Sequence, residues 1–196
     1  MLNISNNYRK FRWFFTSSDK LVVGGKSSQQ NEDLLKEIKS LNKTLIVMHT
    51  EDPGSPFTII LADVEKITKS DLEECAVFTA CFSKAWKLGK KEAEVHIFQT
   101  SDLYKTKNMK EGTWGVIGNI KKIRVNLRLI LVRQEGILRA VSEKTARSIK
   151  EKKVRLAPGK IDKDKLAFHI KSACGIEFDQ QELLSAIPSG GFKILR

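Results

Sequence analysis

The chain has 196 residues, of which 41% are hydrophobic and 30% charged. This apolar content can fill a core, which excludes wholesale disorder, and apolar runs such as residues 45–48 are far too short to span a bilayer. The first residues have no apolar signal region, and Cys75, Cys81 and Cys174 lack the paired spacing of a disulfide framework or a zinc site. We therefore expect a cytoplasmic protein without a transmembrane helix, a metal or another cofactor.

Basic residues are in excess and are unevenly placed along the chain. Thirty-five Lys and Arg residues stand against 23 Asp and Glu residues, a net charge of +12. Residues 1–83 contain 10 basic and 11 acidic residues, residues 84–133 contain 12 and 4, and residues 134–196 contain 13 and 8. A lysine-rich solvated surface is one explanation. The abrupt start of the excess at Lys84 favours a polyanionic partner, above all nucleic acid.

The first half of the chain alternates short strands with helices. Strands are predicted where apolar and β-branched residues run together, and helices where apolar residues recur every three or four positions. Ser70 and Glu73 have capping-box spacing, which predicts the start of the longer helix. The predicted elements are strands at 11–15 and 21–23, a helix at 27–41, strands at 44–49 and 57–62, and a helix at 70–88.

Apolar alternation continues beyond the second helix and stops at Arg133, where a basic segment begins. The whole pattern predicts an α+β fold with a mostly antiparallel sheet and two main helices, plus a small C-terminal α/β extension. We expect a core domain at residues 1–133 and a basic extension or small subdomain at 134–196. The later elements are strands at 93–99, 113–117 and 123–132, helices at 162–172 and 180–186, and a terminal strand.

Four segments in order carry a family resemblance: FRWFFTSSDKLVVGGKSSQQNEDLL from residue 11, VMHTEDPGSPF from residue 47, CFSKAW from residue 81, and Lys105 with EGTWGVIG from residue 111. Together they resemble the NFACT-R domain family, which occurs in large ribosome-associated quality-control proteins and is implicated in RNA binding. The resemblance implies a stand-alone NFACT-R protein with its own C-terminal extension. It also implies tRNA or rRNA as the ligand and the large ribosomal subunit as a candidate partner.

Candidate RNA-binding residues follow from both the charge pattern and the resemblance. Lys84, Lys105 and His49 fall where the family motifs have a basic residue or a histidine. Lys26 lies beside a Gly-Gly pair that opens a helix, a setting suited to a phosphate, and Tyr104 lies in a basic stretch where it can stack on a base. The predicted nucleic-acid-binding residues are Lys26, His49, Lys84, Lys87, Tyr104, Lys105, Lys107, Lys110, Lys121, Lys122, Arg124 and Arg128.

Two of these features have simpler interpretations. Gly24-Gly25 can make a strand-to-helix turn that Asn31 or Gln30 caps, without binding any ligand. His49, with Glu51 and Asp52 nearby, has the residue types of a metal or acid–base site, but alternation along a strand sends neighbours to opposite faces. No nucleophile elbow or metalloprotease motif is present in the sequence, so we predict no catalytic residues.

The sequence therefore predicts a non-catalytic RNA-binding protein that recognises structured RNA through a basic surface. Phosphate contacts position a protein without reading sequence, so sequence specificity is not expected. Two other functions fit the same charges: a general nucleic-acid (DNA) binder, and an accessory subunit for tRNA modification that works with a separate catalytic partner.

Overall fold

The computed structural model describes residues 4–174 and 177–195 of the chain. Its strands and helices confirm the predicted α+β class. The strands are β1 (Arg12–Phe15), β2 (Leu21–Gly24), β3 (Ile46–Thr50), β4 (Thr58–Ile60), β5 (Glu92–Gln99), β6 (Leu103–Tyr104), β7 (Gly115–Val116), β8 (Lys121–Asn126), β9 (Leu129–Gln134), β10 (Ile137–Val141), β11 (Val154–Ile161) and β12 (Phe192–Leu195).

The helices are short, and within the described residues none is long and apolar enough to cross a membrane. They are α1 (Ile4–Asn7), α2 (Ser28–Ser40), α3 (Lys69–Cys81), α4 (Lys84–Lys87), α5 (Glu143–Ala146), α6 (Lys163–Cys174) and α7 (Gln180–Ala186).

The strands form antiparallel sheets of six, four and two strands. The first sheet has the order β1-β2-β4-β3-β5-β8, and β6 pairs with β7 beside it. Alternate side chains of the first sheet face opposite helices. Leu34 and Leu35 of α2 pack with Trp13 in one apolar cluster, and Phe78 of α3 packs with Phe14 in another. The two main helices thus cover the two faces of the first sheet.

The prediction of one helix at 70–88 is wrong, because the structure has two helices there and the first has a different N-cap. Thr68, not Ser70, caps α3 in a reciprocal capping box with Asp71, and the Ser70 hydroxyl instead donates to Glu74 at 2.9 Å. The helix ends at Cys81 because Ser83 interrupts it, accepting from the Ala85 amide at 3.1 Å and thereby capping α4. Threonine and serine two positions apart offer equivalent caps, so the sequence pattern does not separate them.

The cysteine pattern predicted no disulfide framework, and two of the cysteines are free. Cys75 and Cys81 of α3 are buried thiols. Burial raises the pKa of Cys75 to about 12, so its thiol stays protonated and unreactive at neutral pH. The side chain of Cys174 lies outside the described part of the chain.

The prediction of one strand at 123–132 is also wrong, because the structure has two strands there. β8 ends at Asn126 and β9 begins at Leu129, and the two strands belong to different sheets. The Arg128 amide donates to the Asn126 carbonyl at 3.1 Å across the corner between them. Unbroken alternation hid this corner, because a bent strand keeps its side-chain period of two.

The second sheet has the order β10-β9-β11-β12 and crosses the predicted boundary at residue 133. Within it, β9 lies between β10 and β11, both of which follow that boundary. Arg133 pairs with Glu182 of α7 at 2.7 Å, and the Trp86 indole donates to the Gly191 carbonyl at 3.1 Å. The division into residues 1–133 and 134–196 would therefore separate paired strands and a shared apolar cluster.

We expect trypsin to cut first within residues 147–153, a mostly exposed basic segment between α5 and β11. The two fragments should nevertheless co-elute on gel filtration, because β9 and β11 pair from Leu131–Val154 to Leu129–Leu156. Release of a folded N-terminal fragment would instead support an independent core that ends near residue 133.

Candidate nucleic-acid interface

A cleft of about 700 Å³ opens at one end of the first sheet. β1 and β4 begin there and β2 and β3 end there, so residues distant in sequence meet at this edge. Four of the predicted residues line the cleft: Lys26, His49, Lys84 and Lys87. The other eight predicted residues lie outside this lining.

Lys26 is positioned by close packing between the Gly-Gly turn and α2. A Cβ atom on Gly25 would lie 2.2 Å from Asn31 Oδ1, and that oxygen accepts from the Phe57 amide at 3.1 Å. Gly25 is therefore needed for packing, as the simpler interpretation of the glycine pair predicted. Gln30 closes the turn as that interpretation expected, because its Oε1 accepts from the Lys26 amide at 3.0 Å, while Ser27 caps the helix by accepting from the Gln30 amide at 3.2 Å.

Lys84 and Lys87 lie one helical turn apart on α4, and both are exposed. Gly54, at a φ of +103°, lets the chain pass under the Lys84 side chain, since a Cβ atom there would lie 2.6 Å from Lys84 Cδ. The Lys84 amide donates to the Gly54 carbonyl at 2.9 Å. The ion pairs found among the described residues do not include Lys26, Lys84 or Lys87, so these charges can accept an anion.

His49 enters the cleft as a neutral ring. Burial lowers its pKa, and the nearby His96, directly opposite in β5, lowers it further. Nδ1 lies 2.7 Å from the Thr50 carbonyl oxygen, which can only accept, so Nδ1 carries the proton. His49 therefore offers Nε2 as a hydrogen-bond acceptor and supplies no positive charge to the cleft at neutral pH.

The buried carboxylate of Glu32 fixes the wall of the cleft formed by residues 111–114. Glu32 Oε2 accepts from Lys105 Nζ at 2.8 Å, from the Gly112 amide at 3.0 Å and from the Trp114 indole at 3.2 Å. Burial alone would raise the pKa of Glu32, but the hydrogen bonds from Lys105 and Gly112 lower it to about 2. We call this group the Glu32 clamp: Glu32, Lys105, Gly112 and Trp114.

Lys105, which was predicted to contact RNA, helps to hold the loop at residues 110–114 in place. Its ammonium group also donates to the carbonyls of Lys110 and Thr113, at 2.8 and 3.0 Å. Its three N–H donors thus have protein acceptors. The same clamp explains why the strand predicted at 113–117 is only Gly115–Val116, since residues 112–114 bend toward α2.

Tyr104, Lys107 and Lys110 lie on the outer side of this loop and are exposed. The Tyr104 side chain is 38% exposed, and one face of its ring lies against Gly115, where a Cβ atom would be 2.1 Å from the ring. Stacking of Tyr104 on a base therefore stays a prediction that its geometry permits.

The predicted residues on and just after β8 lie among carboxylates of the neighbouring strand. Lys122 pairs with Glu94 at 2.9 Å, and Arg124 pairs with Glu92 at 3.3 Å. Lys121 projects from the opposite face of β8, since neighbouring residues alternate, and Arg128 lies at the corner before β9. All four side chains are exposed, so their contacts with RNA remain predictions, but the charges of Lys122 and Arg124 are balanced by the neighbouring carboxylates.

The grouping of His49, Glu51 and Asp52 does not form. Asp52 pairs with Lys90 at 2.7 Å, while Glu51 meets Glu94 and His96, with potential ligand atoms within 4.8 Å of one another. His96 joins this group from β5 because cross-strand pairing, not sequence proximity, decides the neighbours. Lys122 lies 3.1 Å from Glu51 and 2.9 Å from Glu94, so the two carboxylates already hold a cation.

Chelation is expected to leave the protein unchanged. With Lys122 between the two carboxylates, a divalent ion would have to displace an ammonium group, so we expect the same Tm with and without EDTA. A stoichiometric metal found by elemental analysis of the purified protein, with a lower Tm after chelation, would contradict this.

Sequence reasoning missed Arg12, Trp114 and Ser189, which also line the cleft. Arg12 stands inside an apolar strand, and its guanidinium lies 4.7 Å from the centre of the Phe82 ring. A charged residue within the run FRWFF was the available signal for Arg12. Nothing in the local sequence marks Ser189, which reaches the cleft from the turn before β12.

These features define an α+β protein with a cation-lined cleft. A family model described as the NFACT protein RNA binding domain matches residues 10–118. The chain therefore belongs to the NFACT-R family, as the sequence motifs predicted. All of the residues named above as lining the cleft fall inside this match except Ser189.

Particular relatives include an archaeal Rqc2 homolog and a ribosome quality control complex subunit. The archaeal Rqc2 homolog aRqcH of Methanocaldococcus jannaschii is 28% identical over 96% of this chain, and the human ribosome quality control complex subunit NEMF is 32% identical over 40% of it. The chain spans only 29% and 7% of these two proteins.

A solved structure supports the fold. The C-terminal part of a fibronectin/fibrinogen-binding protein from Streptococcus suis superposes with a TM-score of 0.51 at 23% identity. The similarity covers 59% of this chain and 44% of that one. At this identity the likeness concerns the fold alone.

Proposed function

We propose that this chain is a non-catalytic RNA-binding protein that binds structured RNA, tRNA or rRNA, on cytoplasmic ribosomes. The observation that carries the proposal is the convergence on one cleft of Lys26, Lys84 and Lys87, three lysines that form no ion pair with another described residue. The description of the family as an RNA-binding domain supports it, as does the name of the relative NEMF, a ribosome quality control complex subunit.

The binding is electrostatic in origin. Phosphates displace counterions when they meet lysines, so the logarithm of the binding constant falls by about 0.7 to 0.9 per contact for each tenfold increase in salt. Three cleft lysines therefore give a slope of about −2 to −3, and exposed lysines outside the cleft steepen it. These contacts fix the orientation of RNA and carry no base preference.

Competition at matched salt tests this proposal. A labelled tRNA bound to the protein is challenged with ribosomal subunits, with unlabelled tRNA and with duplex DNA of equal phosphate content. We expect the two RNA competitors to displace the label at lower concentration than DNA does. Equal displacement by DNA would identify a general polyanion binder, and a salt slope near zero would contradict the electrostatic mechanism.

A further inference from the structure

We infer that the cleft binds an unpaired RNA segment and that Arg12, together with Lys26, holds a phosphate of that segment. This inference rests on the proposed RNA-binding function and narrows it. It concerns which form of RNA enters the cleft, whereas the exposed lysines elsewhere on the surface can meet any RNA.

The first observation is that Arg12 is a half-buried cation without an anionic partner. Among the described residues its guanidinium takes part in no hydrogen bond or ion pair, and it lies over the Phe82 ring. A cation removed from water without a partner costs stability. Arg12 is one of the residues that line the cleft.

The second observation is that Arg12 and Lys26, which line the same cleft, each repel a further cation. Burial lowers the pKa of Lys26, and the charges of Arg12 and Arg139 lower it further. Burial likewise lowers the pKa of Lys163, and Arg12 adds to that effect. The C-terminal part of the chain thus supplies Arg139 and Lys163 to a group of like charges. An anion in the cleft would relieve this repulsion.

The size of the cleft selects the form of RNA. A volume of about 700 Å³ lies in the range of pockets that hold a single small ligand, so it has room for one or two nucleotides. A duplex presents its phosphates on the outside of a wide helix and meets only the rim of such a cleft. Unpaired segments can instead splay a nucleotide into it, as is general for RNA recognition by proteins.

One wall of the cleft is suited to a base. The Trp114 indole is half-buried in that wall, and its orientation is fixed by the hydrogen bond to Glu32. An aromatic ring held in place stacks on any base without reading its edge. The cleft therefore combines a cationic end, for a phosphate, with an aromatic wall.

Arg12→Met tests the inference, because it removes the charge and keeps an unbranched side chain over Phe82. Fluorescence anisotropy would measure binding of the full chain to labelled oligouridylate of about ten nucleotides, a typical length for such sites, and to a short blunt RNA duplex. Arg147→Met is the matched control, since Arg147 is exposed beside α5, and α5 packs near the start of α3, away from the cleft. Tm is measured for each variant.

We expect Arg12→Met to keep or raise the Tm. Oligouridylate binding should weaken about tenfold, because one charge-assisted contact is lost. Duplex binding should stay within about twofold of the parent. Unchanged oligouridylate affinity, or an equal loss on both RNAs, would overturn the inference. A parent protein that binds tRNA but neither of these RNAs would also overturn the inference, whereas a parent protein that does not bind tRNA would overturn the proposed function itself. A fall in Tm with unchanged affinity would make Arg12 structural and also overturn the inference.

Discussion

Replacing Glu32 with glutamine is expected to lower the free energy of unfolding by about 3 kcal/mol at neutral pH. A carboxyl whose pKa falls from 4.5 in the unfolded chain to about 2 in the fold contributes about this much. Glutamine keeps an oxygen for the Gly112 amide but leaves Lys105 without its counter-charge. Both Glu32 and Lys105 are largely shielded from solvent, with side chains 5% and 22% exposed, so water compensates little for the loss.

The effect of this substitution should depend on pH. Because folding lowers the pKa of Glu32, its contribution is complete above pH 5 and is lost as the pH falls from about 5 toward 2. Urea unfolding of the parent and of Glu32→Gln should therefore give free energies that converge in acid. Glu65→Gln, at an exposed position, is the matched control and should behave like the parent. A constant difference across this pH range would mean that the charge of Glu32 is not what stabilises the loop.

The double charge reversal Lys84→Glu with Lys87→Glu is expected to weaken tRNA binding roughly hundredfold. Each charge-assisted contact contributes about 1.5 kcal/mol, which is about tenfold in affinity, and the new carboxylates repel phosphate. The slope of log affinity against log salt should become shallower by about 1.5 as two contacts are lost. Filter binding over a salt series measures both quantities.

The control for this prediction has the same change in charge and the same spacing. Lys66 and Lys69 are exposed, and Lys69 begins α3 roughly 18 Å from its other end near the cleft, by the helical rise of 1.5 Å per residue. Their double reversal should leave binding near the parent value if the cleft is the site. A similar loss in both double variants would mean that only net charge matters, and circular dichroism checks that each variant is folded.

Local patterns predicted much of the fold because its elements follow simple periodicities. The helix expected at 27–41 is Ser28–Ser40, and the strand expected at 93–99 is Glu92–Gln99. Errors arose where two local solutions were equally good, as with Thr68 and Ser70 as caps. They also arose at the corner before Leu129, where a tertiary bend left the alternation intact.

The candidate site was harder to predict because its contacts are long-range. The hydrogen bond between Lys105 and Glu32 joins residues 73 positions apart, so the sequence could mark Lys105 as basic but could not show its partner. The charge pattern likewise grouped Arg124 with Lys84, although the structure places Lys84 in the cleft and pairs Arg124 with Glu92. Burial and counter-charges, which decide whether a lysine can bind phosphate, are properties of the fold.

The bond between Trp86 and Gly191 has a consequence for the order of folding. It spans 105 positions, and Ser189 reaches the cleft from the same turn, so the cleft is incomplete until residues 189–191 have been made. Contacts of such sequence separation form late, because the intervening chain must first be ordered. During synthesis the hairpin of β1 and β2 and the two main helices can form well before the turn that contains Ser189 and Gly191. A ribosome-stalled chain that ends near residue 180 should therefore leave Trp86 open to acrylamide quenching, and protection of Trp86 at that length would contradict this order.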